Sequence, residues 1–506
     1  MLWHNSPVIY DAPPPAERRG DVFPERLVLE RPLPLKLSRP SAIALGAASI
    51  LTLIVAFVIF LALQQWTGRS TTPAAAALLR VDLIEGAVPI IAYSFGAIAF
   101  VFLVLRRPTR IWVVTSLIAL ASGAATAVLV LWYFSANDTF GVQLSTTTSV
   151  WGIVTFAAVA FALSNLWRSR PARKLVAIAS IVFFVSAGFV GVNADFGLDR
   201  TPADLAGIST QPTLSIPVAT VKPTPTPTLL AGGALWANWH APVGMPTGGQ
   251  QGQVIIPNTV SGFVARAAGL YLPPAALVPN PPALPFVIMM MGQPGNPEPI
   301  YTANILDPMA AAHAGLAPIV LVVDQIGNPS IDPLCLDTAR YGKAETYLTQ
   351  DVVPWARTHL HILQDPAHWT VAGYSNGGEC ALSLGVKFPQ VWGNVLDISG
   401  EEYPGADRAV ATRAAAFGGS QAAYDAQKPL GLLAGHSYQD TVAIVTVGSN
   451  DYGYRQQAMR VAAATKAAGW KTTYFEVLNG GHVLGALYGG LQEGYSVLFP
   501  RLGLSQ

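Results

Sequence analysis

Ser375, Asp451 and His482 are the residues of this chain whose types, order and surroundings fit nucleophilic chemistry. Ser375 stands in Gly373-Tyr374-Ser375-Asn376-Gly377. The apolar run before it, His368 to Ala372, reads as a strand, and Gly378 to Val386 reads as a helix. Strand, G-x-S-x-G and helix together make a nucleophile elbow, a sharp turn that pushes the serine hydroxyl into the open. A serine hydroxyl is a poor nucleophile by itself. An imidazole must take its proton during attack on a carbonyl, and a carboxylate must hold that imidazole in one tautomer. Charge developing on the carbonyl oxygen needs preorganised backbone donors. The Asn376 amide is one candidate donor. The other is the Gly292 or Gln293 amide, in the loop after the apolar run Phe286 to Met291.

The elements that must position these groups are legible as apolar runs. Thr441 to Gly448 reads as a core strand and leads to Asp451; Thr472 to Val477 reads as another and leads to His482. Both residues therefore follow the carboxyl ends of strands, where open α/β sheets build their sites. The competitors are placed less well. Asp440 precedes its strand, Asp397 lies within one, and His436 comes before the acid in the chain. His359, His361 and His368 flank a helix–strand junction and read as surface or capping residues. Asp451 retains a second reading as the N-cap of the helix that follows it. The eight histidines show no metal-ligand spacing, so neither metal nor cofactor is expected.

Further strands are expected at Gln253 to Pro257, Gly262 to Leu272, Ile319 to Asp324 and Val391 to Ser399. Helices are expected at Tyr341 to Leu360, broken by Pro354, and at Arg455 to Gly469. Strands alternating with helices imply a mostly parallel, doubly wound α/β sheet. Glu401 to Asp440 has a weak helical pattern and is expected to cap the pocket, sharing substrate selection with Asn328 to Tyr341. The two cysteines, Cys335 and Cys380, lie in that loop and in the helix after the nucleophile. An oxidising compartment permits a disulfide between them, which would pin the loop beside the site; two buried thiols are the alternative.

Arg266-Ala267-Ala268-Gly269-Leu270-Tyr271-Leu272-Pro273-Pro274, Met291-Gly292-Gln293-Pro294-Gly295, Gly373-Tyr374-Ser375-Asn376-Gly377-Gly378 and Gly480-Gly481-His482 together resemble the "Putative esterase" family of α/β hydrolases. That family includes esterase D, the enterochelin esterases and the actinobacterial mycolyltransferases. The resemblance covers the C-terminal half only. It implies an α/β-hydrolase fold and a Ser-acid-His hydrolase or acyltransferase, with Ser375, Asp451 and His482 in those roles. The mycolyltransferases differ in using Glu as the acid, so mycolate transfer is not implied.

Composition sets the N-terminal half apart. Of 506 residues, 51% are hydrophobic and 12% charged, and the formal net charge is +1; the mean hydropathy is +0.40. Such a balance points to membrane spans and argues against nucleic acid as a partner. Five spans are expected: Ser41 to Leu63, Glu85 to Leu105, Ile111 to Phe134, Ser149 to Trp167 and Leu175 to Val192. Arginine and lysine gather in the N-terminal tail and in the loops at Arg106 to Arg110 and Arg168 to Lys174, whereas Ser135 to Thr148 has neither. The positive-inside rule then places the N-terminus in the cytoplasm and the C-terminal half outside. The expected organisation is a tail over 1–40, spans over 41–193, a Pro/Thr-rich linker over 194–234 and a catalytic domain over 235–506. Alternating Pro and Thr from Pro223 to Thr228 favours an extended spacer holding that domain off the bilayer. The expected function is a membrane-anchored serine esterase or acyltransferase acting outside the membrane on a small-molecule or lipid ester, with membrane lipids as neighbours. The alternative is a catalytically idle binding or assembly module. The oligomeric state is not readable.

Overall fold

The computed structural model describes residues 77–136, 144–167, 169–197, 199–205, 209–214, 216, 234–438 and 440–506. The tail over 1–40 and the first expected span, Ser41 to Leu63, lie outside these residues, as do 217–233 of the linker. Four apolar helices cover the remaining expected spans: α1 (Ala87–Val104), α2 (Arg110–Ala136), α3 (Thr146–Ser164) and α4 (Pro171–Phe196). Each is long and apolar enough to cross a bilayer, and α1 packs on α4, α4 on α3 and α3 on α2. Ser145 and Thr148, at the start of α3, donate to Asp195 near the end of α4. At the opposite end, Arg173 donates to the Leu103 carbonyl and to Asn165. Polar groups thus cluster at the two ends of the bundle, and apolar side chains face outward between them.

The C-terminal half is built on an eight-stranded sheet: β1 (Gln250–Val254), β2 (Ala268–Leu272), β3 (Phe286–Met290), β4 (Ile319–Val323), β5 (Trp369–Tyr374), β6 (Asn394–Ile398), β7 (Val442–Gly448) and β8 (Lys471–Val477). Their spatial order is β1-β2-β4-β3-β5-β6-β7-β8. β2 runs antiparallel to β1 and β4, and the other pairs are parallel. Every residue of β3, β4, β5, β6 and β7 is buried, the signature of a sheet covered on both faces. Helices α5 (Ile300–Ala312) and α10 (Leu484–Arg501) pack together; α10, α7 (Asn376–Lys387) and α9 (Tyr452–Ala467) lie on the sheet. Between α5 and α7 runs α6 (Val353–His359), and α8 (Ala409–Phe417) belongs to the segment after β6. Burial of each large apolar side chain contributes about 1.5–3 kcal/mol, and Trp369, Trp392, Phe286 and Phe499 are among those fully enclosed. This is the α/β-hydrolase fold, preceded by an all-α membrane bundle.

Three expectations are corrected. Gly262 to Leu272 is a strand only from Ala268, because the Arg266 amide turns to the Asp324 carboxylate and its guanidinium to Asp324 and Asn296. Pro354 does not break its helix. It falls in the first turn of α6, just after a π-helical turn over Tyr347–Val352, where its missing N–H costs nothing. Finally, the first part of the linker is not a free spacer. Leu214 and Ile216 pack on the core of the sheet domain, and Leu214 N and Gln253 N exchange bonds with the Gln253 and Pro212 carbonyls at 2.9 Å each. Sparse apolar residues suffice there because the exposed edge of β1 offers unpaired backbone groups.

Candidate active site

The elbow forms because β5 and α7 meet at a turn that only small residues tolerate. A Cβ on Gly377 would run into the Met290 backbone, and one on Gly373 into Gly377 itself. Ser375 sits at φ 56°, ψ −120°, a conformation that costs of order 1–3 kcal/mol and is held by its surroundings. Its amide donates to the Ile398 carbonyl at 2.8 Å. The hydroxyl therefore stands at the N-terminus of the twelve-residue helix α7, where the helix dipole favours negative charge.

The tertiary structure brings the other two residues to it. His482 Nε2 lies 2.7 Å from Ser375 Oγ, and His482 Nδ1 lies 2.6 Å from Asp451 Oδ2. Asp451 and His482 are both buried. A carboxylate accepts, so Nδ1 carries the proton and Nε2 presents its lone pair to the serine hydroxyl. Asp451 also occupies the N-cap position of α9, but its side chain makes no cap bond; it is turned to the histidine instead. The competing residues lie elsewhere. Asp440 pairs with Lys471 and Arg501. Asp397 is buried in β6 and accepts from the Gly400 amide. His359 caps its own helix at the Trp355 carbonyl, and the His436 ring lies tilted beside that of Tyr438.

The Asn376 and Gln293 amides have no protein acceptor among the described residues, and both residues line the cavity that opens at Ser375. Gly292 lies just behind: a Cβ on it would stand 3.1 Å from the Ser375 Cβ. Asn376 is fixed by its side chain, which donates to Asp332 at 2.9 Å and accepts from Gln325 at 3.0 Å. Gln325 in turn donates to the Met291 carbonyl at 2.5 Å. The loops after β3, β4 and β5 are thereby tied together beside Ser375.

The cavity measures about 690 Å³. One wall is the loop around Ile331, Asp332 and Leu334; the other is Gly405 to Ala415, including α8. A disulfide joins Cys335 to Cys380, with Cα atoms 5.5 Å apart, and anchors the first wall to α7. Burial raises the pKa of Asp332 and of Glu401, and the neighbouring Asp407 raises Glu401 further. Sequence reasoning missed the two tyrosines around the histidine. Tyr374 stacks on His482 at 5.4 Å and Tyr454 lies against it at 4.0 Å between ring centroids. The signal was available: Tyr374 is the variable residue of the elbow, and Tyr454 lies one helical turn beyond Asp451.

Residues 265–490 match the family described as "Putative esterase". An uncharacterized protein of Corynebacterium glutamicum is 34% identical over 235 residues, covering 44% of this chain and 55% of that protein. The chain thus spans about half the length of the curated relative it matches. Among solved structures, an S-formylglutathione hydrolase from Agrobacterium tumefaciens is 16% identical, with a TM-score of 0.42 over 51% of this chain and 97% of its own. A ferulic acid esterase is likewise 16% identical, with a TM-score of 0.41 over 50% of this chain and 98% of its own.

Proposed function

We propose that this chain, whose C-terminal part carries the esterase family signature on an α/β-hydrolase fold, is a membrane-anchored serine esterase or acyltransferase. The observation that carries the reading is the hydrogen-bonded line from Ser375 Oγ through His482 to Asp451, at 2.7 and 2.6 Å. Ser375 Oγ attacks the ester carbonyl carbon and gives its proton to His482 Nε2. Asp451 holds the imidazole and stabilises the imidazolium. The carbonyl oxygen becomes an oxyanion held by the Asn376 amide and by the Gln293 or Gly292 amide. Collapse breaks the ester C–O bond, and the leaving alcohol takes the proton from His482. In the second half, His482 removes a proton from water or another alcohol, which attacks the acyl-serine and restores the enzyme. Water as acceptor makes the protein an esterase; a sugar or lipid hydroxyl makes it an acyltransferase.

The site is read as extracytoplasmic and its substrate as a lipid or envelope ester. Two features support this: the disulfide, which belongs to an oxidising compartment, and the attachment to a membrane bundle. A cavity of about 690 Å³ suits a ligand with one small acyl or headgroup portion enclosed. The test is fluorophosphonate labelling of the full-length protein in detergent. The wild type labels, and Ser375→Ala does not; ester turnover in that variant falls by up to about 10⁶-fold. Absence of labelling in a folded wild-type protein would replace this reading with that of an idle binding module.

A further inference from the structure

An α/β sheet has two ends, and the membrane bundle meets the catalytic one. Helix α4 finishes at Phe196 with Gly197 as a left-handed cap, φ 72°. A Cβ on Gly197 would stand 2.6 Å from the Leu484 Cβ, so glycine permits a close approach that no other residue would. Leu484 opens α10, two residues after His482. Seven residues beyond Gly197, the Asp204 carbonyl accepts from the Asn296 side chain at 2.9 Å. Gln211 then donates to Glu298 at 3.2 Å. Asn296 and Glu298 follow the carboxyl end of β3, in the loop that begins with Gly292 and Gln293. Leu484 follows the carboxyl end of β8. The helix end is therefore seated against the segment after His482, and the chain that follows it against the loop that begins with Gly292 and Gln293.

A second observation points the same way. Ile255, Val260, Val264, Ile331, Tyr452 and Leu478 are large apolar side chains left exposed. All six lie on segments that follow the carboxyl ends of β1, β4, β7 and β8. These six are spread along the carboxyl edge of the sheet from β1 to β8, and the membrane helix α4 ends at that same edge, beside the segment after β8. With 26 residues, α4 is about 39 Å long, more than the roughly 30 Å of hydrocarbon, so Gly197 reaches the headgroup layer. From there to Ser375 is one side-chain contact, two Cα steps and an imidazole, roughly 20 Å at most.

We propose that the catalytic edge faces the bilayer, its apolar rim resting in the headgroup region, so that the enzyme draws its ester from a lipid of the membrane its own helices span. This deepens the esterase reading and rests on it for the chemistry, but not for the orientation. Both native cysteines are bridged, so a single introduced thiol can carry a fluorophore. In the full-length protein reconstituted with headgroup-spin-labelled lipid, a dye at Leu478→Cys is strongly quenched. A dye at Val243→Cys, an exposed residue near Met245 and the Gly315 turn that precedes β4, is not. Equal quenching at the two positions, or the reverse order, overturns the orientation whether or not the protein is an enzyme. A lipid with an esterified headgroup, placed in the same proteoliposome, is turned over much faster than when supplied in protein-free vesicles; equal rates overturn the supply from its own membrane.

Discussion

Two buried carboxyls behind Ser375 show how little residue type says without its surroundings. Glu379, in the first turn of α7, is pushed up to about 8, chiefly by burial, with the Ser383 hydroxyl working against it. Asp397 is pushed up to about 7 by burial, against the Gly400 amide bond. Both bind a proton more tightly in the folded chain than in the unfolded one. Their protonation therefore supports the fold below the ordinary carboxylate range, and that support is lost as pH rises through about 7 to 8. The full-length protein in detergent should lose thermal stability steadily from about pH 5 to pH 8. Glu379→Gln should flatten that decline and raise the midpoint at pH 8, through a gain in unfolding free energy on the order of a few kcal/mol. Unchanged slopes in thermal melts of the variant would remove the carboxyl from the account. Asp397, Asp440 and Asp451 carry the same side chain; only Asp451 follows the carboxyl end of its strand, and it reaches the histidine because β7 ends beside β8 in the sheet.

At the scale of elements, the wall of the cavity is held by one covalent link. The Cys335–Cys380 bridge closes a loop whose ends are 45 residues apart. In the chain-entropy picture such a closure is worth about 4 kcal/mol. Replacing both cysteines with alanine should lower the unfolding free energy by up to that amount, and a denaturant titration of the C-terminal fluorescence checks it. The freed wall should also raise KM more than it lowers kcat. Ser375, His482 and Asp451 are positioned by strand ends, whereas Asp332 and Leu334 are positioned by the bridge. Strands were readable as apolar runs because buried strands need apolar residues on both faces. The errors fell where side chains took over the work of the ladder. Arg266 diverts the start of β2 toward Asp324, and a π-helical turn absorbs the break expected at Pro354.

At the scale of the whole molecule, charge divides the bundle. Arg106, Arg110, Arg173 and Lys174 lie at one end of the helices; Asp82, Glu85 and Asp195 lie at the other, with the Arg200 ion pairs. The positive-inside rule reads the first end as the cytoplasmic one, the orientation proposed above. Protease added to intact cells should therefore release a tag placed after Gln506, and protection of that tag would reverse the orientation. The sequence by itself determined what local chemistry can encode: the four apolar helices, because long uninterrupted apolar runs are legible as such; the elbow, because its turn demands glycines; and the order of serine, acid and histidine. It also carried the family resemblance of the C-terminal half. Tertiary structure decided which distant groups meet. Ser375 and Asp451 stand 107 and 31 positions from His482 in the chain, and no local pattern records that the three meet. The docking of Gly197 on Leu484 is likewise a contact between surfaces, set by how the two halves pack, and it turned an expected spacer into part of the molecule's framework.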